Sequence, residues 1–117
     1  MKILLTLRDN VIAPRFDLTT EVLIVETANN LPLGKPRNIL LPGPSADELC
    51  SLIIKEGVSL VVCGGIEESH FQYLTWKKIA VIDKVIGPLT EVLGLAANGS
   101  LKPGAILRNS QGGKAYA

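Results

Sequence analysis

Hydrophobic residues fall in short blocks separated by turn-forming residues, and the blocks follow two rhythms. Lys2–Arg8 (KILLTLR), Thr20–Ala28 (TEVLIVETA) and Val58–Cys63 (VSLVVC) are nearly continuous apolar runs, the pattern of strands covered on both faces. Ile79–Val85 (IAVIDKV) reads as another such strand and Arg37–Leu41 as a shorter one. Between the first two runs, Asp9–Thr19 has no clean period and holds Pro14, which predicts a loop or a short edge piece. Asn29–Pro36 (NNLPLGKP) is turn chemistry throughout and suits an antiparallel reversal.

The second rhythm is helical. Ser45-Ala46-Asp47-Glu48 is a capping box, followed by Leu49, Leu52 and Ile53 on one stripe and by Gly57 as a left-handed stop. A first helix is expected over Ala46–Glu56. Gly64-Gly65 precedes a second near Ile66–Lys78, and Gly87-Pro88 a third that carries Leu89, Val92, Leu93 and Ala96, with Pro88 at its first position. Residues 1–104 then make a single domain, and 105–117 reads as a loosely packed tail.

The resulting order is β-β-β-α-β-α-β-α. An antiparallel start followed by right-handed crossovers predicts an α/β fold: a mixed five-stranded sheet in the order 3-2-1-4-5, strand 2 antiparallel, with three helices. That is a ribonuclease-H-like topology. Its strand order reverses between the first and fourth strands, where open α/β sheets hold ligands outside the carboxyl ends. Arg8–Phe16 and Cys63–Glu67 meet at that point.

Composition narrows the chemistry. With 117 residues, 47% of them hydrophobic, and a net charge of +1, the chain is expected to be an ordered, compact domain rather than a disordered one. The neutral balance gives no footprint for nucleic acid, and no apolar run approaches the ~20 residues of a membrane span. The N-terminal apolar stretch meets Arg8 and Asp9 too soon for a secretory signal. The expected location is cytoplasmic, with Cys50 and Cys63 reduced.

Gly64-Gly65, between a buried strand and a helix, lets backbone approach a ligand and offers bare amides and a helix N-terminus to an anion. A plain tight turn explains the glycines equally well. Cys63 at the strand end is a candidate thiolate or soft-metal ligand, and His70 a second ligand, although buried packing for the cysteine and a boundary place for the histidine are the commoner roles. Arg8, Arg15 and Lys84 fall near the same strand ends and would make a local positive edge, or simply solvated surface. Carboxylates for two-metal phosphoryl chemistry are absent from the strand positions that need them: Leu4–Leu7 and Val61–Cys63 stand there. No nucleophile–base set has a defensible spacing, so the chain is expected not to be an enzyme.

Val11-Ile12-Ala13-Pro14-Arg15-Phe16, then Val22–Glu26, then Val61-Val62-Cys63-Gly64-Gly65-Ile66-Glu67 resemble, in order, motifs of the NifB/NifX-type dinitrogenase iron-molybdenum cofactor biosynthesis domains. Leu74, Ile79, Val81-Ile82, Gly87 and Gly99-x-Leu101 continue the series, so the likeness runs over about residues 1–104. It departs at Asp17, where such domains commonly have glycine. The resemblance implies a non-catalytic carrier of an anionic molybdenum/iron–sulfur cluster. Arg8, Arg15, Cys63, Gly64, Gly65, Ile66 and Glu67 would form the binding site, with Cys63 or His70 as direct metal contacts. Metallocluster-assembly or acceptor proteins, and a homodimer, are the partners it implies. The alternative is a regulatory or interaction module that binds a small anion or no ligand.

Overall fold

Every side chain from Ile3 to Leu7 has a buried place, which is why the Lys2–Arg8 run forms the central strand, β1. The structure, a computed structural model, describes residues 1–108. The elements that follow are β2 (Val11–Ile12), β3 (Glu21–Ala28), β4 (Leu31–Leu40), α1 (Ala46–Lys55), β5 (Leu60–Val62), α2 (Glu68–Trp76), β6 (Ala80–Ile82) and α3 (Leu89–Ala97). The sheet runs β4-β3-β1-β5-β6, with β2 paired to β1. β1 is antiparallel to β3 and parallel to β5; β3 is antiparallel to β4, and β5 parallel to β6.

Alternation through the pleat sorts the apolar runs into two cores. Ile3, Leu5, Leu7, Leu23, Val25 and Val62 face α3 through Val92 and Ala96. Leu4, Val22, Ile24, Val61 and Cys63 face the other way, onto Leu49 and Ile53 of α1, Leu74 of α2 and the ring of Phe16. α1 begins as expected: the Ser45 hydroxyl accepts the Glu48 N–H at 3.2 Å.

Several boundaries depart from the sequence reading. The sheet has six strands rather than five, because Asp9 and Asn10 both adopt positive φ (53° and 65°) and close a two-residue hairpin that recruits Val11–Ile12 to the edge of β1. Asn29 and Asn30 (φ 53° and 66°) make a second hairpin of the same kind. The reversal therefore needs only these two residues, and Leu31–Pro36, read as turn, continues as β4. A register shift in the β3–β4 pairing falls opposite Gly34, whose φ is +65°. β4 tolerates Pro32 and Pro36 because it is an edge strand, almost wholly exposed. α2 starts at Glu68 rather than Ile66, and Pro88 caps α3 from outside rather than occupying its first turn.

The expected tail lies partly outside the described residues. Its first residues are docked: the Ile86 N–H donates to the Ala105 carbonyl at 2.9 Å and the Leu107 N–H to the Ile86 carbonyl at 2.7 Å. Ala105 and Leu107 pack on the α3-side core. None of the described helices is long and apolar enough to cross a membrane.

Candidate functional site

At the carboxyl ends of β1 and β5 the strand order reverses, β3 and β4 lying to one side and β6 to the other, the place where open α/β sheets leave a crevice. The chain leaving β1 turns through its hairpin and passes Ala13–Arg15 across the segment leaving β5. The two are bonded together. The Gly65 N–H donates to the Pro14 carbonyl at 2.8 Å, and the Phe16 N–H donates to the Gly65 carbonyl at 2.8 Å.

This arrangement corrects the expectation of bare glycine amides, since the Gly65 N–H is already paired. A side chain at position 64 would place its Cβ 2.6 Å from the Pro14 carbonyl oxygen and closer still to that of Ala13. Gly64 is thus demanded by its own backbone neighbours. The α2 N-terminus is also displaced from the glycines: its N-cap is Glu67, which makes no side-chain capping bond.

Ala13–Arg15 divides the crevice into two cavities that share Pro14 as a wall. One, of about 490 Å³, is lined by Val11, Ile12, Pro14, Gly64, Gly65, Lys84, Val85 and Ile86. The other, of about 470 Å³, includes Arg8, Asp9, Pro14, Arg15, Leu18 and Glu21. The glycines and the two arginines therefore belong to different chambers. Arg15 is held by Asp17, with a 2.6 Å ion pair and a second bond of 3.1 Å, so much of its charge is met locally. Lys84 and Arg8 are exposed and have no ion-pair partner among the described residues. Lys84 adopts φ 58°, and its N–H donates to the Gly64 carbonyl at 2.9 Å. The sequence marks its charge but carries no sign of that backbone conformation.

Cys63 is 0% exposed. Burial, with the nearby Asp83 carboxylate, pushes its thiol from the ordinary 9.0 up to about 12, the reverse of the thiolate expected at a helix N-terminus. Burial and Asp47 likewise raise the Cys50 thiol to about 11. His70 stacks at 6.0 Å against Phe16 and opens into the groove between α1 and α2 with Asp47, Cys50, Ser51, Ser69 and Tyr73, which Cys63 does not line. The two residues expected to contact a metal are thus not brought to one cavity. Among the described residues no three His, Cys, Asp or Glu side chains group so as to hold a metal ion. Ile66 is half-buried against the α1–α2 core, Glu67 is exposed, and Phe16 is buried as its ring predicts. The Thr6 hydroxyl, buried without a hydrogen-bond partner among the described residues, carries no signal in the sequence.

The fold and its divided crevice define the class: a mixed α/β domain with an open sheet, helices on both faces and a ligand-sized cleft at the reversal of strand order. No protein-family model and no curated protein matches the sequence. Solved structures do share the fold. The crystal structure of PH0822 has a TM-score of 0.78 at 19% identity, over 88% of this chain and 94% of that one. Two more are described as putative: a dinitrogenase, MJ0327 of Methanocaldococcus jannaschii (TM-score 0.69, 23% identity, 87% and 92% coverage), and a NifB protein of Thermotoga, TM1290 (0.66, 13%, 93% and 97%). The names dinitrogenase and NifB are consistent with the family that the sequence motifs resemble, and the likeness established is one of fold.

Proposed function

We propose that the chain is a non-catalytic carrier, accessory to metallocluster biosynthesis, that lodges an anionic iron- and molybdenum-containing metal–sulfur cluster, or a precursor, beside Gly65 and Lys84. One observation carries this reading: the 490 Å³ cavity joins apolar walls to a single exposed ammonium at the reversal of strand order. Sulfide faces are soft and weakly hydrated, so they pack well against Val11, Pro14 and Ile86. Their net negative charge meets the ammonium of Lys84. A cargo that brings its own inorganic ligands needs no protein thiolate, which suits a Cys63 kept protonated by burial. The ordered motifs support the reading, as does a fold shared with structures named for dinitrogenase and NifB. We take the topology as ribonuclease-H-like, the compartment as the cytoplasm, and the role as binding and release only.

The test is anaerobic reconstitution with iron, molybdate and sulfide, followed by metal analysis and absorbance. Wild type is expected to retain metal, and Gly65→Trp and Lys84→Glu to retain at least five-fold less. Position 65 lines the cavity, and a Cβ there comes no nearer than 3.4 Å to the Pro14 carbonyl oxygen; circular dichroism and thermal unfolding check that each variant is folded before its metal is counted. Equal retention by wild type and Gly65→Trp removes the reading. The apolar walls also favour a second one, a regulatory module binding a small organic anion. Native mass spectrometry that finds such an anion on metal-free protein, lost in Lys84→Glu, selects it.

A further inference from the structure

α3 ends in a Schellman motif. Gly99, at φ +78°, turns the chain; its N–H donates to the Ala96 carbonyl at 3.3 Å, and the Ser100 N–H to the Leu95 carbonyl at 2.9 Å. The cap residue is Asn98, so a thermolabile asparagine directly precedes a glycine, which has no side chain to shield its backbone nitrogen. Asn98, Gly99 and Ser100 are all exposed, and beyond its chain neighbours no atom lies within 4 Å of where a Gly99 Cβ would stand. Asn10, Asn29, Asn30 and Asn38 are followed instead by Val11, Asn30, Leu31 and Ile39, whose side chains obstruct the same approach.

The local geometry both prepares a reaction and restrains it. The Ser100 N–H also donates to Asn98 Oδ1 at 3.0 Å, which draws electrons from Cγ and is placed to hold the charge that develops on that oxygen. Asn98 ψ is 5°, which keeps the Gly99 nitrogen out of line with Cγ. Ring closure therefore needs rotation about that bond and release of the 3.3 Å bond to Ala96, a local opening at an exposed helix end.

We propose that Asn98-Gly99 is a self-modification site whose product unlatches the segment that braces the Lys84 loop. The Gly99 nitrogen loses its proton and bonds to Asn98 Cγ; the Cγ–Nδ2 bond breaks, and ammonia leaves with that proton. Water then opens the cyclic imide. Addition at Cγ gives aspartate with the main chain intact. Addition at the main-chain carbonyl carbon gives isoaspartate, whose chain runs through the former side chain and is one carbon longer. Nothing is oxidised or reduced. The added carbon falls in the turn that sets Leu101, a buried member of the α3-side core. Beyond it, the Gly104 N–H donates to the Asp83 carbonyl at 2.9 Å, and Ile86 exchanges bonds with Ala105 and Leu107. These bonds fasten 101–107 to the loop that presents Lys84, and displacing Leu101 slackens them. The inference goes beyond the carrier reading and does not depend on it.

The experiment incubates the full chain for several days in mildly alkaline buffer, then maps its peptides by mass, with fragmentation that tells aspartate from isoaspartate. Conversion at position 98 is expected to exceed that at Asn10, Asn29, Asn30 and Asn38 at least ten-fold, to leave isoaspartate as a product, and to stop in Asn98→Gln, where the ring would need another carbon. Chromatography then isolates the isoaspartyl form. By hydrogen exchange its Ile86, Gly104 and Leu107 amides are expected to open at least five-fold faster than in fresh protein. Freshly made Asn98→Asp, charged but with an unaltered main chain, is expected to match fresh wild type. Conversion with no preference for position 98 overturns the modification site. Conversion that leaves those amides unchanged, or the same acceleration in Asn98→Asp, overturns the unlatching.

Discussion

Gly64 and Gly65 stand side by side yet answer to different demands. A methyl group at 64 collides with the Ala13 and Pro14 carbonyls, whereas at 65 the nearest atom is 3.4 Å away. Gly64→Ala is expected to lower unfolding free energy by about 2–3 kcal/mol in denaturant titrations, as overpacking does, and Gly65→Ala by less than about 0.5 kcal/mol. Cys63 makes the second residue-scale prediction. Its thiol binds a proton more tightly in the folded protein, at about 12, than the ordinary 9.0. Its stabilising contribution is therefore complete below pH 9 and is lost as pH rises toward 12, by at most about 1.4 kcal/mol per pH unit. Cys63→Ala, weaker at neutral pH because of the vacated volume, should show a flatter fall across that window; identical slopes would contradict the assignment. The sequence marked both glycines and the cysteine as noteworthy, but local spacing cannot show that Ala13–Pro14 arrives from 50 residues away to occupy the space they leave.

Elements were legible where periodicity and capping agree. α1 follows from Ser45, Glu48 and the Leu49–Leu52–Ile53 stripe, and β1, β3 and β5 from runs whose central residues, Ile3–Leu7, Val22–Val25 and Leu60–Val62, are buried. The hairpins were harder to read. Asn29-Asn30 and Asp9-Asn10 reverse the chain in two residues, and neither is the Asn-Gly pair that announces such a turn. The left-handed second position still favours glycine, so Asn30→Gly is expected to stabilise the protein by about 0.5–1 kcal/mol in thermal or chemical unfolding. A decrease would mean that the Asn30 side chain does something that the turn geometry does not require.

For the whole molecule, the open flank of the sheet is β4, ten exposed or half-buried residues long. The Thr27 N–H is donated at 2.8 Å to Met1 on the β1 side, so the Thr27–Pro32 pair is of the non-hydrogen-bonded kind and Pro32 turns its nitrogen outward. Lacking N–H, it blunts the edge against further strands, and Lys35 and Arg37 add charge. Pro32→Val is expected to give concentration-dependent association in sedimentation velocity at concentrations where wild type is unchanged. The sheet thus has a guarded flank at β4 and, at the ends of its inner strands β1 and β5, the divided crevice. The sequence reading brought Arg8–Phe16 and Cys63–Glu67 to one place, and Pro14, Gly65 and Phe16 are bonded there; the partition of that place depends on backbone atoms alone and left no mark in the sequence.

That partition also sets how this chain can diversify. Carbonyl oxygens are the same in every amino acid, so the wall that Ala13 and Pro14 raise against position 64 is indifferent to their side chains. Mutation can reshape both chambers by changing what projects from the wall, while the single hydrogen at position 64 stays fixed. Variation in the shape of the chambers and rigidity of architecture are thereby assigned to different atoms of the same loop.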